Sequence, residues 1–162
     1  MRIRLRVPQV LAIVGLVSLG AVGLAAIAQY VFNMQPCPWC VLQRLIYIVV
    51  GVLALLGAVL PGIARRLVTG LAFLVALSGI GTALYQQIHA VNEQSCDLSA
   101  AERFIAWLKL DQLLPQLFVA YASCADAAVS VLGIPFAVWS CLLFAILAAL
   151  LVWTLRAATR TR

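Results

Sequence analysis

Four stretches of the chain, about 10–28, 41–60, 67–88 and 134–155, are long, apolar and nearly free of charge, Arg44 being the exception. At about 1.5 Å of rise per residue, each is long enough to cross a bilayer as a helix. Hydrocarbon offers no partner to backbone N–H and C=O groups, so such stretches must satisfy them internally. With 65% of its 162 residues hydrophobic and 10% charged, the chain lies far from the composition of a water-soluble domain, of which about a quarter is charged. The expectation is an all-α membrane protein: one domain over 1–162, a four-transmembrane-helix bundle with cysteine-bearing loops at about 29–40 and 89–133. The first stretch also has marks of a cleaved signal peptide, with Arg2, Arg4 and Arg6 ahead of Ala26-Ile27-Ala28. It exceeds the usual apolar core of such a signal, about 7–15 residues, so a retained first span is expected.

The formal net charge of +6 does not mark a nucleic-acid binder, because of where the charges sit. Arginines gather in three short flanks: Arg2, Arg4 and Arg6; Arg65 and Arg66; Arg156, Arg160 and Arg162. All five acidic residues, Glu93, Asp97, Glu102, Asp111 and Asp126, fall in the one long loop. Basic flanks beside apolar spans face the cytoplasm, which places both termini inside and both cysteine loops on the opposite side. In a bacterial inner membrane that side is the oxidising periplasm, where disulfides persist.

Within the spans, Pro61-Gly62 stops the second. Gly70, Gly79 and Gly81, with Ser78, either let a neighbouring helix approach closely or simply reflect membrane-helix composition. In the long loop, Ser99-Ala100-Ala101-Glu102 has capping-box spacing. Phe104, Trp107, Leu108 and Asp111 follow at helical spacing, giving a short helix that lies in the membrane interface or packs on the spans. Pro115 is expected to end or bend it.

The chemistry concentrates at Cys37-Pro38-Trp39-Cys40, with Arg44 one helical turn further in. A thiolate is the reactive form of cysteine, and a nearby cation favours it. An arginine inside an apolar helix is costly and marks function by default, the alternative being a cation that snorkels to the interface. Cys96 and Cys124 lie in the long loop on the same side, and three readings compete for the four sulfurs. A zinc site lacks a second close pair. Two inert disulfides are plausible in an oxidising compartment, but a C-x-x-C ring staples almost no chain, so exchange suits that pair better. Cys141, expected mid-span without a partner, reads as a small buried apolar residue.

Taken together, these features resemble the DsbB (disulfide bond formation protein B) family. The resemblance rests on Cys37-Pro38-Trp39-Cys40 with Arg44, on Cys96 and Cys124, and on Leu110-Asp111 through Pro115-Gln116-Leu117-Phe118-Val119-Ala120. It implies a quinone reductase of the bacterial inner membrane that reoxidises a periplasmic DsbA-like thiol oxidase. The family pattern makes Cys96 the point of attack for the partner's thiolate and Cys124 its disulfide mate. Cys37 then exchanges with that pair, and Cys40 faces the quinone, ubiquinone or menaquinone. Arg44 takes the quinone-binding position, and His89 stands near the polar residue the family carries at the end of the third span. Two other classes stay open: a thiol carrier exporting reductant, and a non-catalytic tetraspan scaffold with two structural disulfides. The first would want cysteines near mid-membrane, and the second has no need of Arg44.

Overall fold

The structure, a computed structural model, describes residues 7–88, 99–125, 130–131 and 133–160. Four helices long and apolar enough to cross a membrane run through Val7–Val31 (α1), Pro38–Val59 (α2), Gly62–Ile88 (α3) and Phe136–Arg160 (α7). Three short helices, Ala100–Trp107 (α4), Leu110–Leu113 (α5) and Pro115–Phe118 (α6), lie between α3 and α7. A two-residue antiparallel pair, Ser130–Val131 (β1) with Ile134–Pro135 (β2), leads into α7. The multi-pass bundle expected from the apolar runs is what forms, and the helices overrun those runs at most ends.

α1 continues to Val31, so Gln29 lies inside a helix rather than in the first loop. α3 begins at Gly62 rather than Leu67, directly after the α2 cap at Leu60. Gly62 takes φ +58°, a conformation that disfavours any side chain, and this lets the chain reverse. Arg65 completes the turn by donating from Nε to the carbonyls of Gly57 and Leu60 at 3.1 and 2.9 Å, two of the acceptors left open at the end of α2.

In lipid, close backbone approach replaces the hydrophobic effect as the source of helix contact. α1 and α2 meet at Gly15 and Gly51, where an added Cβ would come within 2.5 Å of Leu55 and 2.9 Å of Leu19 respectively. α3 and α7 meet at Gly79, against which the Phe144 ring lies so closely that a Cβ would meet it at 2.6 Å. Of the glycines expected to admit a neighbour in the third span, Gly79 does so, whereas Gly70 and Gly81 face open space. Phe144 is fully buried and stacks on Tyr47 of α2 with ring centroids 3.9 Å apart.

The capping box at Ser99 and Glu102 forms, with Ser99 Oγ accepting from Glu102 N and the Glu102 carboxylate accepting from Ser99 N. α4 buries Ala101 and Ile105, the latter clustering with Val41 and Phe118, and turns Phe104 and Trp107 outward. It is shorter than its spacing suggested: Lys109 adopts φ +55°, so Asp111 falls in α5. Pro115 follows the C-cap of α5 at Leu114, ending that helix, and opens α6, where its missing N–H costs nothing.

Candidate functional site

Cys37 is the N-cap of α2, with Pro38 in the first turn, so the C-x-x-C motif wraps onto the start of a membrane-spanning helix. That geometry turns Cys40 N–H toward Cys37 Sγ, 3.3 Å away, and brings the two Sγ atoms to within 2.7 Å of each other. Trp39 between them stacks on Tyr85 of α3 at 4.6 Å.

The segment after α6 is tied down over this motif. Tyr30 Oη donates to the Gln116 carbonyl at 2.8 Å, and Tyr121 N–H to the Pro36 carbonyl at 3.1 Å. Phe118 is buried in the cluster with Val41 and Ile105. Cys124 therefore packs against Cys37 and accepts a hydrogen bond from the Trp39 backbone. Although it lies in the long loop, Cys124 is only 8% exposed, and Cys37 is sealed off entirely.

Three sulfurs thus meet in one place, with Cys37 in the middle. Its hydrogen bond to Cys124, then that to Cys40, then burial, raise Cys37 above the ordinary thiol range. The same contact with Cys37, aided by the Trp39 N–H, lowers Cys124.

Arg44 follows Cys40 by one helical turn on the same face. It is 6% exposed, enclosed by the described side chains around it. Nη1 donates to Gln29 Oε1 at 2.7 Å and to the Leu117 carbonyl at 3.3 Å, and Nη2 donates to the Ala25 carbonyl at 3.3 Å. Each acceptor is neutral, so the guanidinium is held rigidly without loss of its charge. These bonds also join α1, α2 and the segment carrying Cys124 through a single side chain.

Cys40 and Arg44 share the wall of a cleft that is partly open to the surroundings. Its other walls come from α1 (Ala21, Val22, Ala25, Ala28), the Met34–Pro36 turn, Gln43 and Tyr47 of α2, and Phe136 and Ser140 of α7. Tyr47 Oη lies 3.1 Å from both the carbonyl and Oγ of Ser140. A mostly apolar cleft with a few convergent polar groups is the form ligand sites take.

Cys96 and His89 lie outside the described residues. Cys141 sits near the start of α7, not mid-span, and is half-buried. Sequence reasoning missed Gln29, Gln43 and Gln86, all buried. Gln43 Nε2 donates to Gln86 Oε1 at 2.7 Å. Polar side chains inside apolar stretches were the available signal, since such groups must find partners.

A multi-pass membrane bundle that brings three cysteine sulfurs together beside a cation has the form of a membrane thiol–disulfide protein. The chain belongs to the disulfide bond formation protein B family: the model of that family, described as Disulfide bond formation protein DsbB, matches residues 7–154. Disulfide bond formation protein B of Ralstonia nicotianae is 36% identical over 141 residues, covering 86% of this chain and 88% of that one. Its counterpart from Dechloromonas aromatica is 37% identical over 140 residues, covering 83% of each chain. That of Cupriavidus metallidurans is 36% identical over 129 residues, covering 79% of this chain and 80% of its own.

Proposed function

We propose that the protein is a protein-thiol:quinone oxidoreductase of the bacterial inner membrane, taking electrons from a periplasmic DsbA-type thiol oxidase. The supporting observation is the position of Cys40. It touches Cys37, itself against Cys124, and it borders the apolar cleft beside Arg44.

In this reading the partner's thiolate attacks Cys96 of a Cys96–Cys124 disulfide, and the partner's second thiol resolves the mixed disulfide. The partner leaves oxidised, with Cys96 and Cys124 as thiols. Cys124, as its thiolate, attacks Cys37 of a Cys37–Cys40 disulfide and releases Cys40 as the thiolate. Cys96 then attacks Cys124, restoring their disulfide and leaving Cys37 as a thiol. Exchange of this kind needs a thiolate, a reachable sulfur and a good leaving group. A quinone held in the cleft beside Arg44 would supply the terminal acceptor for the two electrons and two protons released as Cys37 and Cys40 re-form their disulfide. Arg44 stabilises the Cys40 thiolate and offers a planar donor to a ring carbonyl. The apolar cleft walls exclude water from the sulfur.

The arginine flanks support a cytoplasmic side for both termini. A reporter fused after residue 162 is expected to work only if it is of a kind active in the cytoplasm, and a periplasm-active fusion would reverse the orientation. The functional test is quinone reduction by the lipid-reconstituted protein, driven by a reduced periplasmic thioredoxin-like protein. One quinol should form per partner disulfide, with Arg44→Lys impaired and Arg44→Leu more so. Unchanged quinone kinetics in Arg44→Leu would remove the quinone from the scheme.

A further inference from the structure

Gln86 is the one side chain of α3 that reaches the sulfurs among the described hydrogen bonds. Its Nε2 lies 3.2 Å from Cys40 Sγ and 3.4 Å from Cys37 Sγ, within the range for donation to sulfur. It is 6% exposed, and none of the described residues lining the cleft comes from α3. Cys40 therefore has the cleft and Arg44 on one side and an amide donor from α3 on the other.

An amide can present either its oxygen or its nitrogen, and here the nitrogen faces the sulfurs. Gln43, 5% exposed and one residue before Arg44, donates from Nε2 to Gln86 Oε1 at 2.7 Å. With its oxygen engaged by Gln43, Gln86 turns its NH2 to the sulfurs. A sulfur carrying negative charge accepts a far stronger hydrogen bond than a thiol or a disulfide does, so the contact favours one state of the pair.

The geometry points to Gln86 as a catalytic hydrogen-bond donor that holds the Cys40 thiolate, and to Gln43 as the residue that positions it. Arg44 supplies the charge, and Gln86 supplies a directed bond without adding charge of its own. The inference deepens the thiol–quinone reading, on which it rests for the role of Cys40. Both measurements that test it are made without quinone, so it can fail while that reading stands, and the reverse.

The test uses the full-length protein in lipid, with two readouts. The first is the iodoacetamide alkylation rate of Cys40 in the reduced protein at pH 7, followed by mass spectrometry of the Cys40 peptide. The second is the equilibrium of the Cys37–Cys40 pair with glutathione. There the disulfide takes two electrons and two protons from two glutathiones, giving the dithiol and one glutathione disulfide. In Gln86→Leu, alkylation should slow by about threefold for each tenfold loss of thiolate, since the less acidic thiol is the better nucleophile. The glutathione equilibrium should move toward the disulfide by about fivefold or more. Gln86→Glu keeps the volume but turns an acceptor and a charge toward sulfur, and should move both readouts further. Gln43→Leu touches neither sulfur and should move both in the same direction by less. A purely structural role for these glutamines predicts lost stability with both readouts within twofold of the unaltered protein. That result in Gln86→Glu and Gln43→Leu would overturn the assignment.

Discussion

Replacing Gln29 separates what Arg44 contributes by being fixed from what it contributes by being charged. Gln29 makes the shortest of the three described bonds to Arg44, at 2.7 Å, and both side chains are buried. Gln29→Leu keeps the volume and removes the acceptor, leaving Nη1 only the 3.3 Å contact with the Leu117 carbonyl. A buried charged donor that loses such a partner costs about 1.5–3 kcal/mol. The loss should appear as lower stability together with weaker quinone binding, as the guanidinium swings away from its place beside Cys40. Gln29→Glu instead supplies a better acceptor and should retain stability. Its carboxylate, however, offsets the positive charge felt by Cys40. A unit charge at the i, i+4 spacing of about 6 Å is worth roughly 3 kcal/mol at an effective dielectric of 20. Cancelling half of that slows the quinone-linked step by about tenfold. The assay is quinone reduction at saturating reduced partner, paired with denaturant or thermal unfolding in the same lipid. A Gln29→Glu protein that is stable and turns over at the native rate would refute the idea that the unneutralised charge of Arg44 matters.

Three further outcomes follow from the sulfurs and the packing. Cys37→Ala removes the hydrogen bond that lowers Cys124, so the pH profile of Cys124 alkylation should shift upward, with less thiolate at neutral pH; an unmoved profile would mean that Cys37 does not polarise it. Gly79→Ala puts a methyl group into the Phe144 ring and should cost about 1–3 kcal/mol by overpacking. Because Phe144 stacks on Tyr47 of the cleft, the apparent quinone KM should rise as well, and a change in unfolding alone would disconnect the two. Cys141→Ala should leave thiol oxidation nearly intact; a loss comparable to that of Cys40→Ala would place Cys141 on the electron path.

The bundle was legible because the bilayer leaves an apolar run of this length almost one option. The ends of the helices were not, since hydrocarbon thickness sets a minimum and helices continue beyond it where local bonds allow. Arg65 and Gly62 set the α2–α3 turn, and hydropathy records neither role. The C-x-x-C motif and Arg44 stood out because sulfur pairs and intramembrane charges are rare. Gln29, Gln43 and Gln86 did not, because an amide carries no charge and its importance lies in its partner, which spacing does not reveal. Lys109 shows the same limit in the loop: capping and spacing announced a helix at Ser99 but not the left-handed residue that ends it. The packing of Cys124 against Cys37 was illegible for a related reason. It depends on Tyr30, Arg44 and Tyr121 bonding to backbone carbonyls, and every residue type has one.

Those backbone ties have an electrical consequence. A wire that joins a pool of reductant to a pool of oxidant is useful only if it is insulated along its length. With Cys37 sealed and Cys124 nearly so, glutathione and other small thiols in the aqueous phase have little direct contact with the inner sulfurs. On the proposed reading, the bonds from Tyr30, Arg44 and Tyr121 serve as sheathing. They oblige current to enter through a docked protein rather than leak from bulk solution, which keeps quinone from being spent on futile oxidation. Loosening any one of them should reveal itself as a short circuit: quinone consumed by small thiols with no partner present.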